Sequence, residues 1–170
     1  SRFYATDSEL VLFDSGGFSD PALYPVGPLT AASNDRWAWT PPADATQILD
    51  SGDSHGPILR ETQMGVDEST YLKFSPVTAG IIRIGFDARV SNPYVRTIDM
   101  SLDTTLGTQS GFVAWGVVTN SYGTNSGQLA YYDGASWIGI VNVDASWHHY
   151  EVTNHLSGAN ADKFDVAMDG

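Results

Sequence analysis

The sequence predicts an all-β protein in which two antiparallel sheets pack as a sandwich. Short segments alternate between apolar and polar residues, which is the pattern of strands with one buried face. Turns rich in glycine, asparagine and serine separate these segments at steady spacing, and no extended apolar stripe has helical spacing. A chain of 170 residues is long enough for one hydrophobic core. We therefore expect residues 1–170 to form a single β-sandwich domain.

The composition excludes several classes of function. The chain has 20 acidic and 8 basic residues, and its net charge of −12 opposes binding to nucleic acid or to anionic lipid. It has no cysteine, which excludes a disulfide framework, a thiolate metal site and a cysteine nucleophile. No apolar run is long enough for a membrane-spanning helix. Many glycines and aromatic residues with few lysines are typical of secreted bacterial β-proteins, so we expect an extracellular location.

The segment 81–103 has the clearest strand pattern in the chain. Apolar residues occupy every second position over 82–90 and again over 98–102, and the positions between them are polar or glycine. The linking Ser-Asn-Pro-Tyr sequence has turn chemistry, because proline presets φ and cannot donate to a strand ladder. We therefore predict a β-hairpin that places Asp87 opposite Asp99 on its polar face.

The other strands follow in order along the chain. Residues 9–14 form a short apolar strand, and the proline-rich stretch 18–42 predicts a long loop with one brief strand at Trp37–Trp39. The Asp-Gly dipeptide at 133–134 lies between two strand-like runs and predicts a tight hairpin over 129–141 with positive φ in its turn. Further strands are expected at 45–49, 57–62, 71–74, 112–118, 147–152 and 164–168.

The inward positions of these strands define the expected core. Burial of each large apolar side chain contributes about 1.5–3 kcal/mol, which is enough to fix the register of a strand. The expected core members are Ile84, Phe86, Ile98, Met100, Leu102, Trp115, Tyr150 and Phe164.

Several motifs together resemble a known family. They are Tyr-Pro-Val-Gly at 24–27 leading to Trp37, and the strand sequences IGFDARVS, YYDGASW, DASWHHYEV and KFDVAMDG. In this order they resemble the concanavalin A-like, laminin G-like jelly-roll domains of secreted bacterial proteins. The resemblance implies a two-sheet antiparallel jelly-roll β-sandwich. It leaves the ligand open, because that superfamily includes carbohydrate-binding modules, adhesion domains and polysaccharide-cleaving enzymes.

The polar face of the predicted hairpin is the first candidate ligand-binding site, and it carries Arg83, Asp87, Arg89 and Asp99. A glycoside hydrolase needs two carboxylates about 5–5.5 Å or 6.5–9.5 Å apart, which an Asp87 to Asp99 pair could provide. The two arginines favour an exposed, ion-paired face instead. The chain also lacks the Glu-x-Asp-x-x-Glu signature of laminarinase-like jelly rolls.

Aromatic residues in loops or at strand ends form the second candidate site, because sugar rings stack on Trp and Tyr. The group comprises Tyr24, Trp37, Trp39, Tyr94 and Tyr122, of which the last four are the predicted ligand contacts. The alternative is that Trp37 and Trp39 plug one end of the sandwich.

The histidines allow a third reading, that of a polysaccharide lyase, which needs an acid and a base such as His and Tyr. Alternation places His149 and Glu151 side by side on an outer face and Tyr150 on the other. Two residues at this spacing do not make a metal site, so a solvent-facing polar strand is the favoured interpretation. The acidic turns 14–20 and 50–53 could hold a structural calcium ion, as laminin G-like relatives often do, but no ligands can be assigned.

We therefore predict a non-catalytic extracellular module that binds a polysaccharide or a cell-surface glycan, or mediates adhesion. Two alternatives remain: a jelly-roll lyase or hydrolase, and a structural subunit of an extracellular filament or surface layer. No cofactor is required, and no nucleic acid or membrane partner is expected.

The end of the sequence suggests an open sheet edge. The strand 164–168 runs into Asp169-Gly170, a turn dipeptide after which a partner strand is expected. The missing strand could belong to a longer natural chain, which we favour, or be replaced by the region 3–12, or be supplied by another subunit through β-augmentation. Self-association through this edge is the corresponding prediction.

Overall fold

A computed structural model describes residues 2–6, 10–29, 37–39, 46–61, 70–72, 77–91, 98–102, 113–118, 127–133, 135–161 and 163–170. These residues form fourteen β-strands and one short 3-10 helix, Gly16–Phe18, with no α-helix among them. The all-β prediction is therefore confirmed. The chain divides into two compact units, Ser1–Pro76 and Val77–Gly170.

The first unit contains strands β1 to β7. Strands β1 and β2 form an antiparallel pair, β3, β5 and β6 form a three-stranded sheet, and β4 pairs with β7. The predicted strands at 9–14, 37–39, 45–49, 57–62 and 71–74 correspond to β2 and β4 to β7. The bounds are β1 Arg2–Thr6, β2 Leu10–Asp14, β3 Gly27–Pro28, β4 Trp37–Trp39, β5 Thr46–Asp50, β6 Pro57–Glu61 and β7 Thr70–Leu72.

The first part of the proline-rich stretch packs as a core element of this unit. Tyr24, Leu29 and Ile48 are buried together, with Leu59 against them. Phe18 meets the Tyr24 ring edge to face, with the centroids 5.0 Å apart. Tyr24 is only 4% exposed, so its interpretation as a loop aromatic available to a ligand is wrong. The free energy gained by burying this large ring against apolar neighbours favours the core position over an exposed one in which the ring could stack on a ligand.

The second unit contains strands β8 to β14, which form two groups of antiparallel strands in different sheets. Strand β13 lies between β8 and β14, and β12, β11, β10 and β9 follow one another in a separate sheet. The bounds are β8 Ile81–Ala88, β9 Ile98–Leu102, β10 Val113–Val118, β11 Gln128–Tyr132, β12 Trp137–Asn142, β13 His148–His155 and β14 Lys163–Met168.

The predicted hairpin around 133–134 is confirmed. Strand β11 pairs with β12, and Tyr132 lies opposite Trp137. The connecting residues 133–136 are closed by a hydrogen bond of 3.0 Å from Asp133 N to the Ser136 carbonyl. The Asp133 carboxylate also accepts from the amides of Ala135 and Ser136, at 2.8 Å each. These bonds lower the pKa of Asp133. Gly134 lies outside the described residues.

The predicted hairpin over 81–103 is wrong in its pairing, although both of its strands exist. Strand β8 pairs with β13 and β9 with β10, so the two arms belong to different sheets. Asp87 lies opposite His149, and Asp99 lies opposite Gly116. Alternation identifies the buried face of a strand but not its neighbour. Two consecutive strands that each have one apolar face can pair as a hairpin in one sheet, or they can lie in two different sheets whose apolar faces pack together.

Both strand groups of the second unit contribute to one core. Leu129 of β11 and Tyr150 of β13 belong to the same buried cluster, with Val90, Val143 and half-buried Phe86. The rings of Tyr131 and Phe164 also meet edge to face across the two groups. Ile84 is buried as predicted. Side chains of the expected core members Ile98, Met100, Leu102 and Trp115 lie outside those that the structure describes.

One buried residue in this core is polar. The Asn154 side chain is 1% exposed, and neither its oxygen nor its nitrogen has a hydrogen-bond partner within the described part of the chain. It lies on β13 opposite Ile82 and Phe164. A buried polar group without a partner has a desolvation cost of about 1–3 kcal/mol.

Asn154→Val is therefore expected to raise the free energy of unfolding by about 1–3 kcal/mol, because it removes the unpaired amide from an apolar site. Urea denaturation measures the change. Asn142→Val is the matched control, since the Asn142 amide is exposed and bonded to Gln128 at 3.0 Å. A loss of stability in Asn154→Val would show that the amide has a partner, such as a buried water.

The pairing of β8 with β13 can be tested by cross-linking in this cysteine-free chain. Directly opposite residues of antiparallel strands have Cα atoms about 4.5–5.5 Å apart, within the range of a disulfide. We expect Asp87→Cys/His149→Cys to form a disulfide under mild oxidation, as detected by mass spectrometry of proteolytic fragments. Asp87→Cys/Asp99→Cys should not. The reverse result would restore the hairpin over 81–103.

Candidate functional site

The outer face of β8 and β13 carries a group of polar side chains that contact one another. The two strands pair along eight consecutive positions, from His148 opposite Ala88 to His155 opposite Ile81. Because side chains alternate, Tyr150 and Val152 are buried while His149 and Glu151 are exposed.

His149 lies between two carboxylates on this face. Its Nδ1 is 2.8 Å from Asp87 Oδ1, and its Nε2 is 3.7 Å from Glu151 Oε1. The imidazole lies beside Gly85, where an added Cβ would be 4.0 Å from both Cε1 and Nε2. Gly85 is opposite Glu151 in the register, and a Cβ at this position would make only an ordinary van der Waals contact with the ring. We call Asp87, His149 and Glu151 the carboxylate–imidazole cluster.

The charge state of this cluster depends on pH. The hydrogen bond to Asp87 is the largest cause that raises the pKa of His149 above its ordinary value of 6.5, and the charge of Glu151 adds to it. A raised pKa favours the imidazolium, which can donate from both nitrogens. When it is protonated, the His149 imidazole places a positive charge between the carboxyl groups of Asp87 and Glu151.

An aromatic ring lies at one end of the same face. The Arg89 guanidinium carbon is 5.2 Å from the centroid of the half-buried Trp147 ring. Arg89 follows β8 directly, and Trp147 precedes β13, so both are next to the Asp87–His149 pair. Arg83 is exposed further along β8. Arg83, Asp87 and Arg89 are therefore on an exposed polar surface, as the alternation predicts.

A second histidine cluster fastens the ends of strands β13 and β14. His148 Nδ1 is 2.7 Å from Asp169 Oδ2, and its Nε2 is 3.1 Å from Asp144 Oδ1. The bond to Asp169 is the main cause of a raised pKa at His148. The same bond lowers the pKa of Asp169. Asp144 also has a lowered pKa, chiefly through the amide of Ser146.

The adjacent tyrosine is unsuited to act with His149. Tyr150 points to the opposite face, stacks on Phe86 at a centroid distance of 5.4 Å, and is buried. Burial raises its pKa to about 12, with a contribution from the charges of Asp169 and Asp144. A phenol buried on the far side of the sheet cannot share a substrate with the exposed imidazole.

No contact among the described residues connects the remaining predicted ligand contacts with this site. Trp37 and Trp39 lie on β4 opposite Leu72 and Thr70, but their side chains are outside those described. Tyr94 and Tyr122 fall wholly outside the described residues. Asp99 lies on β9 in the other sheet, so the predicted Asp87 to Asp99 carboxylate pair is wrong.

The acidic turns have a clear role in the backbone. Asp14 accepts from the amide of Gly16, Asp20 from Ala22 and Asp50 from Gly52, at 2.9–3.0 Å. Such bonds are the turn chemistry of aspartate. Within the described ranges no group of three or more His, Asp or Glu side chains is arranged to hold a metal ion. The structural calcium ion stays a prediction.

Three residues of the site, Trp147, His149 and Glu151, were not selected from the sequence as ligand contacts. Trp147 is the first residue of the predicted strand 147–152, and it is not among the aromatic residues predicted to contact a ligand. His149 was recognised as outward-facing, but its contact with Asp87 spans 62 positions of the chain. Trp147 lies directly before β13, two positions before His149. The alternation that buries Tyr150 and Val152 therefore places Trp147 on the same side as His149, and this pattern could have identified it.

Comparison of the chain with protein-family models, with curated proteins and with solved structures finds no match. The function is therefore inferred from the residues of the chain. In the part of the chain that the structure describes, no helix has the length and apolar character required to cross a membrane.

Asp87→Asn is expected to lower the pKa of His149 toward 6.5, because the largest cause of its elevation is removed. NMR titration of the imidazole measures the shift. By linkage, the stability that this pair contributes is present below the ordinary histidine pKa and is lost as pH rises through the raised one. Asp165→Asn, which alters a carboxylate beside His155, should leave the His149 titration unchanged. An equal shift in both variants would contradict the assignment.

Proposed function

We propose that the protein is an extracellular, non-catalytic module that binds a neutral polysaccharide or cell-surface glycan. The observation that carries the proposal is the carboxylate–imidazole cluster, exposed on a sheet face beside the Trp147 ring. The jelly-roll sandwich implied by the sequence resemblance belongs to the same proposal. An all-β architecture with two strand groups around one core in the second unit supports it.

The cluster has the chemistry required by sugar hydroxyls. Asp87 and Glu151 are exposed, and each uses one carboxylate oxygen in its contact with His149. The second oxygen of each carboxylate can accept a hydrogen bond from a sugar hydroxyl. Hydrogen bonds to charged acceptors are stronger than those between neutral groups. A ring of Trp147 next to them, reached by displacing the Arg89 guanidinium, offers a surface for the C–H face of a sugar.

The net charge favours a neutral ligand over an acidic one. The chain carries −12, and two of the three cluster residues are acidic. A polyanionic polysaccharide would meet this field with repulsion, whereas an uncharged glycan has no such cost. The two arginines on the face, Arg83 and Arg89, are too few to reverse it.

Two features favour binding over catalysis. The carboxylates that a hydrolase was expected to use, Asp87 and Asp99, belong to different sheets. The tyrosine beside His149 in sequence is buried on the opposite face. A lyase at this site would need another proton donor or acceptor.

Self-association remains a second element of the proposal. Among the described strands β14 has β13 as its neighbour and β12 has β11, so each ends its strand order. Strand β12 also exposes Ile138, Ile140 and Val141. Exposed apolar edge strands favour pairing between chains.

The proposal predicts retention on affinity gels that contain neutral polysaccharides, with weaker retention on acidic ones. Glu151→Gln should weaken binding about tenfold to a hundredfold, because hydrogen bonds to a charged acceptor contribute about 1.5–3 kcal/mol. Asp165→Asn on β14 is the matched control and should bind like the parent protein.

Three results would contradict it. Equal binding by Glu151→Gln and the parent protein would exclude the cluster as the site. Preferential retention on acidic polysaccharides would exclude the neutral class. Release of reducing or unsaturated ends that is lost in His149→Gln would establish a lyase or hydrolase instead.

A further inference from the structure

The connection between β12 and β13 and the end of β14 meet at one imidazole. Asp144 belongs to the connection, Asp169 follows β14 directly, and His148 is the first residue of β13. Both ring nitrogens of His148 are within 3.1 Å of a carboxylate oxygen, and its side chain is only 12% exposed. A single side chain therefore joins three segments of the second unit.

Asp169 is held by further bonds to the same strand. Its Oδ1 accepts from the His149 amide at 2.9 Å, and its own amide donates to the His149 carbonyl at 2.8 Å. Its φ is +59°, in the left-handed region that a residue with a side chain seldom adopts. Such a conformation has an energetic cost and persists only while surrounding contacts impose it.

We propose that His148 is a pH-sensitive latch that holds the end of β14 on β13 when its imidazole is protonated and releases it when the imidazole is neutral. The imidazolium has two N–H donors, one for each carboxylate. The neutral ring has one donor, so one of its nitrogens then presents a lone pair to a carboxylate. Loss of that bond removes a contact that keeps Asp169 in its unfavourable backbone conformation, and the segment relaxes.

The groups around His148 define the pH range of the latch. Asp144 and Asp169 face its two nitrogens, and Tyr150 meets its ring edge to face at a centroid distance of 6.2 Å. On β8 the residue opposite is the uncharged Ala88. The charges that flank Ala88 are engaged elsewhere: Asp87 of β8 contacts His149, and Arg89, which follows β8, lies over Trp147.

The direction of the pH dependence of the latch follows from these contacts. Because the pKa of His148 is raised above 6.5, the latch is closed below that value and opens as pH rises through the raised pKa. Asp144 and Asp169 have pKa values below 3.8, so their charges are lost only in stronger acid. The latch is therefore closed in mildly acidic solution and opens as pH rises through the raised pKa of His148.

Amide hydrogen exchange tests the latch directly, because both reporter amides belong to it. We expect the protection factors of the His149 and Asp169 amides to fall about tenfold or more as the His148 imidazole loses its proton. The imidazole is titrated by NMR in the same samples. The amide of Val152, in the interior of β13, should keep its protection over the same range.

Three variants separate the latch from a general effect of pH. His148→Gln should abolish the step in protection, since the amide side chain does not titrate. His155→Gln is the matched control, because His155 lies on β13 like His148 but contacts the carboxylate of Asp165 on β14. The step should persist in this variant. Asp169→Asn keeps an oxygen acceptor and tolerates positive φ, but it removes one charge, so the step should move to lower pH.

A protection step that persists unchanged in His148→Gln would overturn the proposal, as would protection of the two amides that does not follow the His148 titration. If His148→Gln does not fold, Asp169→Asn alone decides, because an unshifted step in that variant is incompatible with the latch. None of these outcomes depends on a bound glycan.

Discussion

The register between β8 and β13 is the constraint on which the rest of the second unit depends. Eight consecutive pairs fix which side of the sheet each side chain of β13 faces. Tyr150 and Val152 thereby enter the core, and His149 and Glu151 face outward. A shift of one residue would exchange the two rows, bury charged groups and expose the core. Core packing and the candidate binding face are thus consequences of one pairing.

Aspartate has two structural roles in this acidic chain. In turns, Asp14, Asp20, Asp50 and Asp133 accept from backbone amides two or three residues ahead. On the sheet that contains β13, aspartates instead contact histidines, as Asp87 contacts His149. Part of the net charge of −12 is therefore carried by aspartates whose side chains stabilise turns.

Histidine supplies local positive charge in a chain with few basic residues. The three histidines of β13, His148, His149 and His155, each lie within 3.1 Å of an aspartate oxygen. Lysine and arginine together number only eight. Because imidazole changes its charge near neutral pH, the electrostatics of this strand respond to pH in a way that a lysine-based pattern would not. The proposed binding face and the proposed latch are adjacent and share this property.

The sequence by itself determined the local features of the molecule. Alternation located strands such as β8 and β13 and assigned Asp87 and His149 to exposed faces, and turn chemistry located the hairpin of β11 and β12. Only the tertiary structure decided which strands are neighbours. It separated Asp99 from Asp87, brought His149 to Asp87 and buried Tyr24. The physical reason is that side-chain periodicity reports the environment of each strand, whereas partner choice depends on packing between segments far apart in the chain.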